Sequence, residues 1–205
     1  DKVKINIKAS ALNHLDIWVR NGLPGIPIPL PMILGSDGSG TIVEVGSDID
    51  KFQKGNDVVI QPGTFCRNCQ QCEQGRENYC LGYGILGETE NGTQAEFIVI
   101  DPTNIHLKAD HLTFEEAASM PLVFMTAYQM LIKRANLKAD ETVLIYGGTS
   151  GVGSAAIQIS RELGAQVIAT AGNDEKCKFS KKIGADHVVN HSQDNWEDDV
   201  KIITG

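Results

Sequence analysis

The sequence predicts a β-rich domain followed by an α/β domain built on a parallel sheet. Three observations predict it: short β-branched runs separated by turns through the first hundred residues, a glycine-rich turn at 147–153, and a second strand soon after the helix that this turn opens. At the start, Val3, Ile5 and Ile7 alternate with Lys4, Asn6 and Lys8, the period of a strand with one buried face. Gly22 to Pro31 holds four prolines in ten residues, which removes backbone donors and forces an irregular surface loop. Thr41–Val45, Asp57–Gln61 and Ala95–Ile100 are further short strands, and their close spacing suggests a small barrel or sandwich. Thr113-Phe-Glu-Glu116 matches a capping box that starts a helix limited by Pro121, and Leu122 to Ile132 is apolar enough to form a buried helix. Thr142–Tyr146 is a strand, and the helix after the turn places Val152, Ala155, Ala156, Ile159 and Leu163 on one face. Gly164 ends it and Gln166–Thr170 follows, giving a βαβ unit with parallel strands and a right-handed crossover. Asp174 to Ile183 forms the next helix and His187–Val189 begins the next strand.

Composition narrows the function classes. The 205 residues carry 18 Lys and Arg against 26 Asp and Glu, a net charge of −8, so there is no basic footprint for nucleic acid. No apolar run approaches the roughly 18–20 residues of a membrane span, and Asp1-Lys-Val-Lys4 does not begin a signal peptide. The expectation is a soluble cytoplasmic protein acting on a small molecule, with neither nucleic acid nor membrane as partner.

Four of the five cysteines fall within fifteen residues, as Cys66-x2-Cys69-x2-Cys72-x7-Cys80. Thiolates at this spacing suit tetrahedral coordination, and four of them leave no open position, which predicts a structural Zn²⁺ site. Disulfides fit poorly without a secretory signal. An iron–sulfur cluster is the competing metal reading, because C-x2-C-x2-C also opens ferredoxin motifs, although those continue x3-C-P. Cys177 is a lone thiol on a helix.

The turn Gly147, Gly148, Thr149, Ser150, Gly151, Val152 and Gly153 joins a strand to a helix, the context in which backbone N–H groups and the helix dipole receive a pyrophosphate. The central fingerprint position is Ser150, which narrows the phosphate approach or donates a hydrogen bond. A glycine turn kept for packing alone is the bland alternative. At the end of the second strand, Ala171 is followed by Gly172 and Asn173 with no carboxylate at the tip, and Lys176 and Lys178 lie beyond. That pattern favours NADPH over NADH, with Asp174 and Glu175 on the other side of the scale.

Taken in order, Ala11-Leu-Asn-His-Leu-Asp16, Leu34-Gly-Ser-Asp-Gly-Ser-Gly40, the cysteine lobe, Thr126-Ala-Tyr128, Gly147–Gly153 and Leu163-Gly-Ala165 resemble the medium-chain dehydrogenase/reductase superfamily of zinc-type alcohol dehydrogenases and quinone oxidoreductases. The resemblance covers nearly the whole chain. It implies a GroES-like β-barrel catalytic domain over 1–122 with its zinc lobe at 66–80, then the first half of a doubly wound Rossmann domain over 123–205. It also implies a homodimer or homotetramer for a full-length enzyme. The chain begins inside a strand and stops just past the start of a third Rossmann strand, so the expectation is an internal fragment lacking both ends.

Relatives that oxidise alcohols hold a second, catalytic zinc through a Cys, a His and a further Cys or carboxylate. Those positions correspond here to Asn13, Ser36 and the neighbourhood of Leu122. With these ligands gone, the resemblance implies hydride transfer to an acceptor already activated by conjugation, a quinone or an α,β-unsaturated carbonyl such as an enone or enoyl thioester. Asn13, in an N-x-x-D segment like that of metal-free quinone reductases, is the candidate donor to the developing enolate, with a turn residue as its alternative. Thr126 is expected to touch the nicotinamide, against plain helix packing. Three rival readings remain: an alcohol dehydrogenase with a metal site rebuilt from His14, Asp16 and Asp37, a non-enzymatic NADPH-binding relative, and an exposed His14 in place of one that meets the pyrophosphate. Trp18 and Tyr128 are expected in the core or lining a cleft. His106, His111, His187 and His191 have no constellation in the sequence.

Overall fold

A computed structural model describes residues 1–205. The chain divides into two compact units, Asp1–Leu122 and Val123–Gly205.

The first unit contains β1 (Val3–Ala11), α1 (His14–Asn21), β2 (Asp37–Val45), β3 (Asp57–Ile60), β4 (Gly63–Thr64), α2 (Gln70–Glu73), β5 (Gly84–Ile85), β6 (Phe97–Ile100), β7 (Ile105–Leu107) and α3 (Phe114–Ala118). Five strands form one antiparallel sheet in the order β6-β1-β2-β3-β7, and β4 pairs with β5 in a second, two-stranded ladder. Alternation buries Val3, Ile5, Ile42, Val58, Ile60 and Ile105 in a common core. The second strand is longer than its β-branched run, because Asp37 to Gly40 also pair with β1. Glycine is required within it: a Cβ on Gly40 would fall on the Asn6 carbonyl oxygen, and one on Gly38 would lie 2.9 Å from Thr93 Cγ2. The short strands β4, β5 and β7 escape sequence analysis because two or three residues show no period. Thr113 caps α3 as expected, its hydroxyl accepting from the Glu116 N–H at 3.1 Å while Glu116 accepts from the Thr113 N–H at 2.9 Å.

A further helix, α4 (Pro121–Tyr128), starts at the end of the first unit and continues as a π-helical stretch, Gln129–Arg134. It is one-sided rather than buried throughout: Ala127 and Leu131 join the second unit's core, whereas Met125, Tyr128 and Met130 are exposed. The remainder is β8 (Thr142–Ile145), α5 (Gly151–Leu163), β9 (Gln166–Ala171), α6 (Asp174–Lys182), β10 (His187–Asn190) and α7 (Trp196–Thr204). The strands are parallel in the order β10-β9-β8, as a pair of βαβ crossovers requires. The apolar face of α5 is shifted from the sequence expectation. Its fully packed positions are Gly153, Ala155, Ala156, Ile157 and Ser160, with Val152, Ile159 and Leu163 at the margin, because Ile157 packs in the same core as Val167 and Ala169 of β9.

Candidate functional site

The N-x-x-D segment works first as a helix start. Asn13 is the extended residue before α1, and Asp16 turns back so that Oδ2 accepts from the Asn13 N–H at 2.8 Å. The other oxygen of Asp16 accepts from the Gly35 N–H at 3.0 Å, which ties the loop before β2 to this helix. Asn13 Nδ2 then donates to Asp37 Oδ2 at 2.8 Å, and Asp37 Oδ1 accepts from the Leu122 N–H at 2.8 Å. Positions 13, 37 and 122, scattered along the sequence, therefore meet around one carboxylate. Asp37 is only 1% exposed, and burial first, then the nearby Asp16 charge, pushes its carboxyl up to about 6 against the opposing pull of its hydrogen bonds from Asn13 and Leu122. Ser36 beside it is fully buried, and its hydroxyl has no hydrogen-bond partner.

A zinc ion that activates substrate needs several sulfur or nitrogen ligands in convergent geometry. This cluster offers an amide and two carboxylates whose oxygens already accept from N–H donors, so the donor set does not fit that metal. His14, Asp16 and Asp37 form no ligand cluster. His14 is exposed and lies edge-on to Trp18 at 4.8 Å. Trp18 is 51% exposed and Tyr128 48%, so neither is a core residue.

The cysteine lobe presents the opposite case. Ligand atoms of Cys66, Cys69, Cys72 and Cys80 all lie within 4.8 Å of one another, with separations of 3.9 Å for Cys66–Cys72, 3.5 Å for Cys69–Cys72 and 3.5 Å for Cys66–Cys80. Sulfurs bound at about 2.3 Å to one tetrahedral zinc stand about 3.8 Å apart, so the tetrad fits a single ion and is too tight to surround a multi-iron cluster. Backbone N–H groups of Cys66 and Gly82 hold the Cys80 thiol low, whereas burial and then the neighbouring sulfurs push Cys72 up to about 12. Four sulfurs this close resist ionising together without a cation among them. Arg67, at φ 64°, anchors the lobe to the turn before β7 through Asp101 at 3.2 Å and Thr103 Oγ1 at 3.2 Å.

In the second unit the glycines of the turn have separate tasks. Gly147 takes φ 70°, and a Cβ on Gly153 would strike the Gly147 carbonyl oxygen. A Cβ on Gly148 would lie 2.9 Å from Ser180 Oγ and 3.0 Å from both Ala169 Cβ and Ile157 Cδ1, so this glycine serves close packing. Ser150 turns inward as the N-cap of α5, its Oγ accepting from the Gly153 N–H at 3.0 Å. The N–H groups of Gly151 and Val152 at the helix start keep no such cap and suit an anionic ligand.

Ala171, 1% exposed, ends β9, and Asn173 caps α6 by accepting from the Lys176 N–H at 2.9 Å. The carboxylate of Asp174 accepts from Asn190 Nδ2 at 3.0 Å, and Asn190 pairs in register with Ala171, so this carboxylate stays beside the end of β9; the Lys176 side chain is exposed. His191, with no constellation around it in the sequence, has one in the fold. Its Nδ1 is 3.1 Å from Thr170 Oγ1, which itself accepts from the Gly147 N–H at 3.1 Å, and its ring stacks on Tyr146 at 5.1 Å. Only the parallel order of the strands brings 146, 170 and 191 to one edge, so no local signal in the sequence could have found it. Thr126 lies part-buried on α4.

A GroES-like sheet with a four-sulfur lobe, followed by a glycine turn at the edge of a parallel sheet, defines a nucleotide-linked dehydrogenase fold. The model of the alcohol dehydrogenase GroES-like domain matches residues 1–110, and that of the zinc-binding dehydrogenases matches residues 151–205. The chain belongs to this alcohol dehydrogenase family, within the medium-chain dehydrogenase/reductase superfamily. It is 34% identical over 194 residues to a zinc-type alcohol dehydrogenase-like protein of Schizosaccharomyces pombe, covering 94% of this chain and 54% of that one. It is 30% identical to a quinone oxidoreductase of Pongo abelii, covering 98% of this chain and 53% of the relative. A crystal structure of an NAD-dependent alcohol dehydrogenase superposes with a TM-score of 0.96 at 45% identity, covering 100% of this chain and 60% of that one. The chain thus spans between half and two thirds of the length of these relatives.

Proposed function

We propose that the chain carries the GroES-like domain and the first nucleotide-binding half of an NADPH-dependent reductase acting on quinones or α,β-unsaturated carbonyls, with a structural zinc in the cysteine lobe. The observation that supports it most is the convergence of Asn13 and Leu122 on Asp37, with a buried serine at 36 and no Cys or His among the four. A bound nicotinamide cofactor supplies the hydride. The residues of this chain do the rest: the start of α5 receives the pyrophosphate, and the end of β9, whose last residue Ala171 carries no carboxylate, leaves room with Lys176 for a 2′-phosphate while Asp174 is engaged by Asn190. Thr126 is assigned to the nicotinamide. The free proton of Asn13 Nδ2 is directed to the oxygen that gains charge as an enolate or quinol anion forms; a donor of this kind is worth about 10²–10³ in rate.

The relative at 45% identity is named for NAD-dependent alcohol oxidation, which gives the second reading, an alcohol dehydrogenase using NAD. One assay separates the two. The reductase reading predicts that NADPH is oxidised with quinones or enones, faster than NADH, and that Asn13→Ala lowers kcat by about 10²-fold. Alcohol-dependent reduction of NAD, with no turnover of any quinone or enone, would establish the second reading instead.

A further inference from the structure

Asp37 is a buried carboxylate with a separate N–H donor on each oxygen, and the two donors come from different parts of the chain: the Asn13 side chain before α1 and the Leu122 backbone in α4. Its backbone carbonyl is also held, by the hydroxyls of Ser10 at 3.0 Å and Thr93 at 2.7 Å. Both side-chain oxygens are engaged and the group is closed to solvent, so Asp37 is badly placed to exchange protons with a substrate. It is well placed to fix a geometry.

An ionised carboxylate only accepts hydrogen bonds, whereas a side-chain amide presents a donor on one side and an acceptor on the other. Facing Asp37⁻, the Asn13 amide has one favourable orientation, with Nδ2 inward and its second proton directed away. A protonated carboxyl carries a donor of its own and accepts the reversed amide equally well. We infer that Asp37 is the positioning residue for Asn13: its carboxylate locks the amide in the orientation that presents the remaining N–H proton, and protonation releases that lock. The inference rests on Asn13 being the donor proposed above.

The groups facing the carboxylate are the Asn13 amide, the Asp16 carboxylate from α1 and the Leu122 N–H from α4. Burial places the titration near 6, so the lock is set at neutral pH and lost as the pH falls through that value. Replacing Asp37 by Asn leaves one acceptor oxygen for two N–H donors; the Leu122 N–H is fixed in the backbone and takes that oxygen, which leaves the new NH2 facing the NH2 of Asn13, so the Asn13 amide must turn.

The test is a pH profile of kcat and KM with a quinone or enone, on the protein as it occurs naturally, for the wild type, Asp37→Asn, Asn13→Ala and the exchanged pair Asn13→Asp with Asp37→Asn. The wild type should lose kcat on an acid limb near pH 6. Asp37→Asn should lower kcat by about 10²-fold with KM little changed, and should lack that limb. The exchanged pair restores a hydrogen bond between the two positions but not the donor, so it should fold normally and remain as slow. A wild-type kcat with no ionisation near 6, or an Asp37→Asn protein as fast as the wild type beside an impaired Asn13→Ala, would overturn the inference and leave the proposed function standing. An unimpaired Asn13→Ala would overturn both the role of Asn13 and the lock.

Discussion

Asp37 and Gly148 show how one residue can be fixed by what surrounds it instead of by what precedes it in the chain. Asp37 looks in the sequence like a polar residue in a glycine run, yet it is closed to solvent and bonded to residues 24 positions before it and 85 after it. Gly148 looks like part of a phosphate fingerprint, yet its bare α-carbon faces Ser180, Ala169 and Ile157 in the space between α5, β9 and α6. Adding a methyl group there forces a tightly packed core to shift, so Gly148→Ala should destabilise the second unit by about 1–3 kcal/mol, measurable by thermal or denaturant unfolding. Ser150 has the reverse history: the sequence left it either narrowing the phosphate approach or donating to it, and it caps α5. Neither assignment was legible beforehand, because helix caps and close contacts depend on how α5 sits against β9.

Among the elements, those carrying a strong local pattern were the legible ones. The alternation in β1, the capping box of α3 and the βαβ order of β8, α5 and β9 all appear where periodicity and caps place them. Beyond that reach lie the ladder of β4 with β5, too short to show a period, and the one-sided packing of α4, whose nearly uniform apolar sequence hides which side is packed. The cysteine lobe was legible because ligand spacing is itself a local pattern, and its sulfurs have the separations one zinc ion requires. With α2 and a single 3-10 turn at Glu77–Tyr79 as its regular structure, the lobe has little apart from the Arg67 anchor to hold it without an ion among its sulfurs. Cys66→Ser or a strong chelator should therefore lower the melting temperature of the first unit and loosen residues 66–80 in hydrogen exchange. Nucleotide affinity, which the proposed function assigns to the second unit, should change little. Loss of nucleotide binding from a well-folded Cys66→Ser protein would contradict that division of labour.

For the molecule as a whole, the two units hold distinct features: a sulfur tetrad and a buried carboxylate in the first, and in the second the glycine turn and strand end proposed above to receive the nucleotide. No helix is long and apolar enough to cross a membrane. The central claim is that metal serves structure here and that hydride transfer relies on a hydrogen-bond donor in place of a catalytic zinc. Elemental analysis of the purified protein tests it most directly. The account predicts one zinc per chain, lost together with Cys66; two zinc ions per chain, one of them surviving Cys66→Ser, would contradict it.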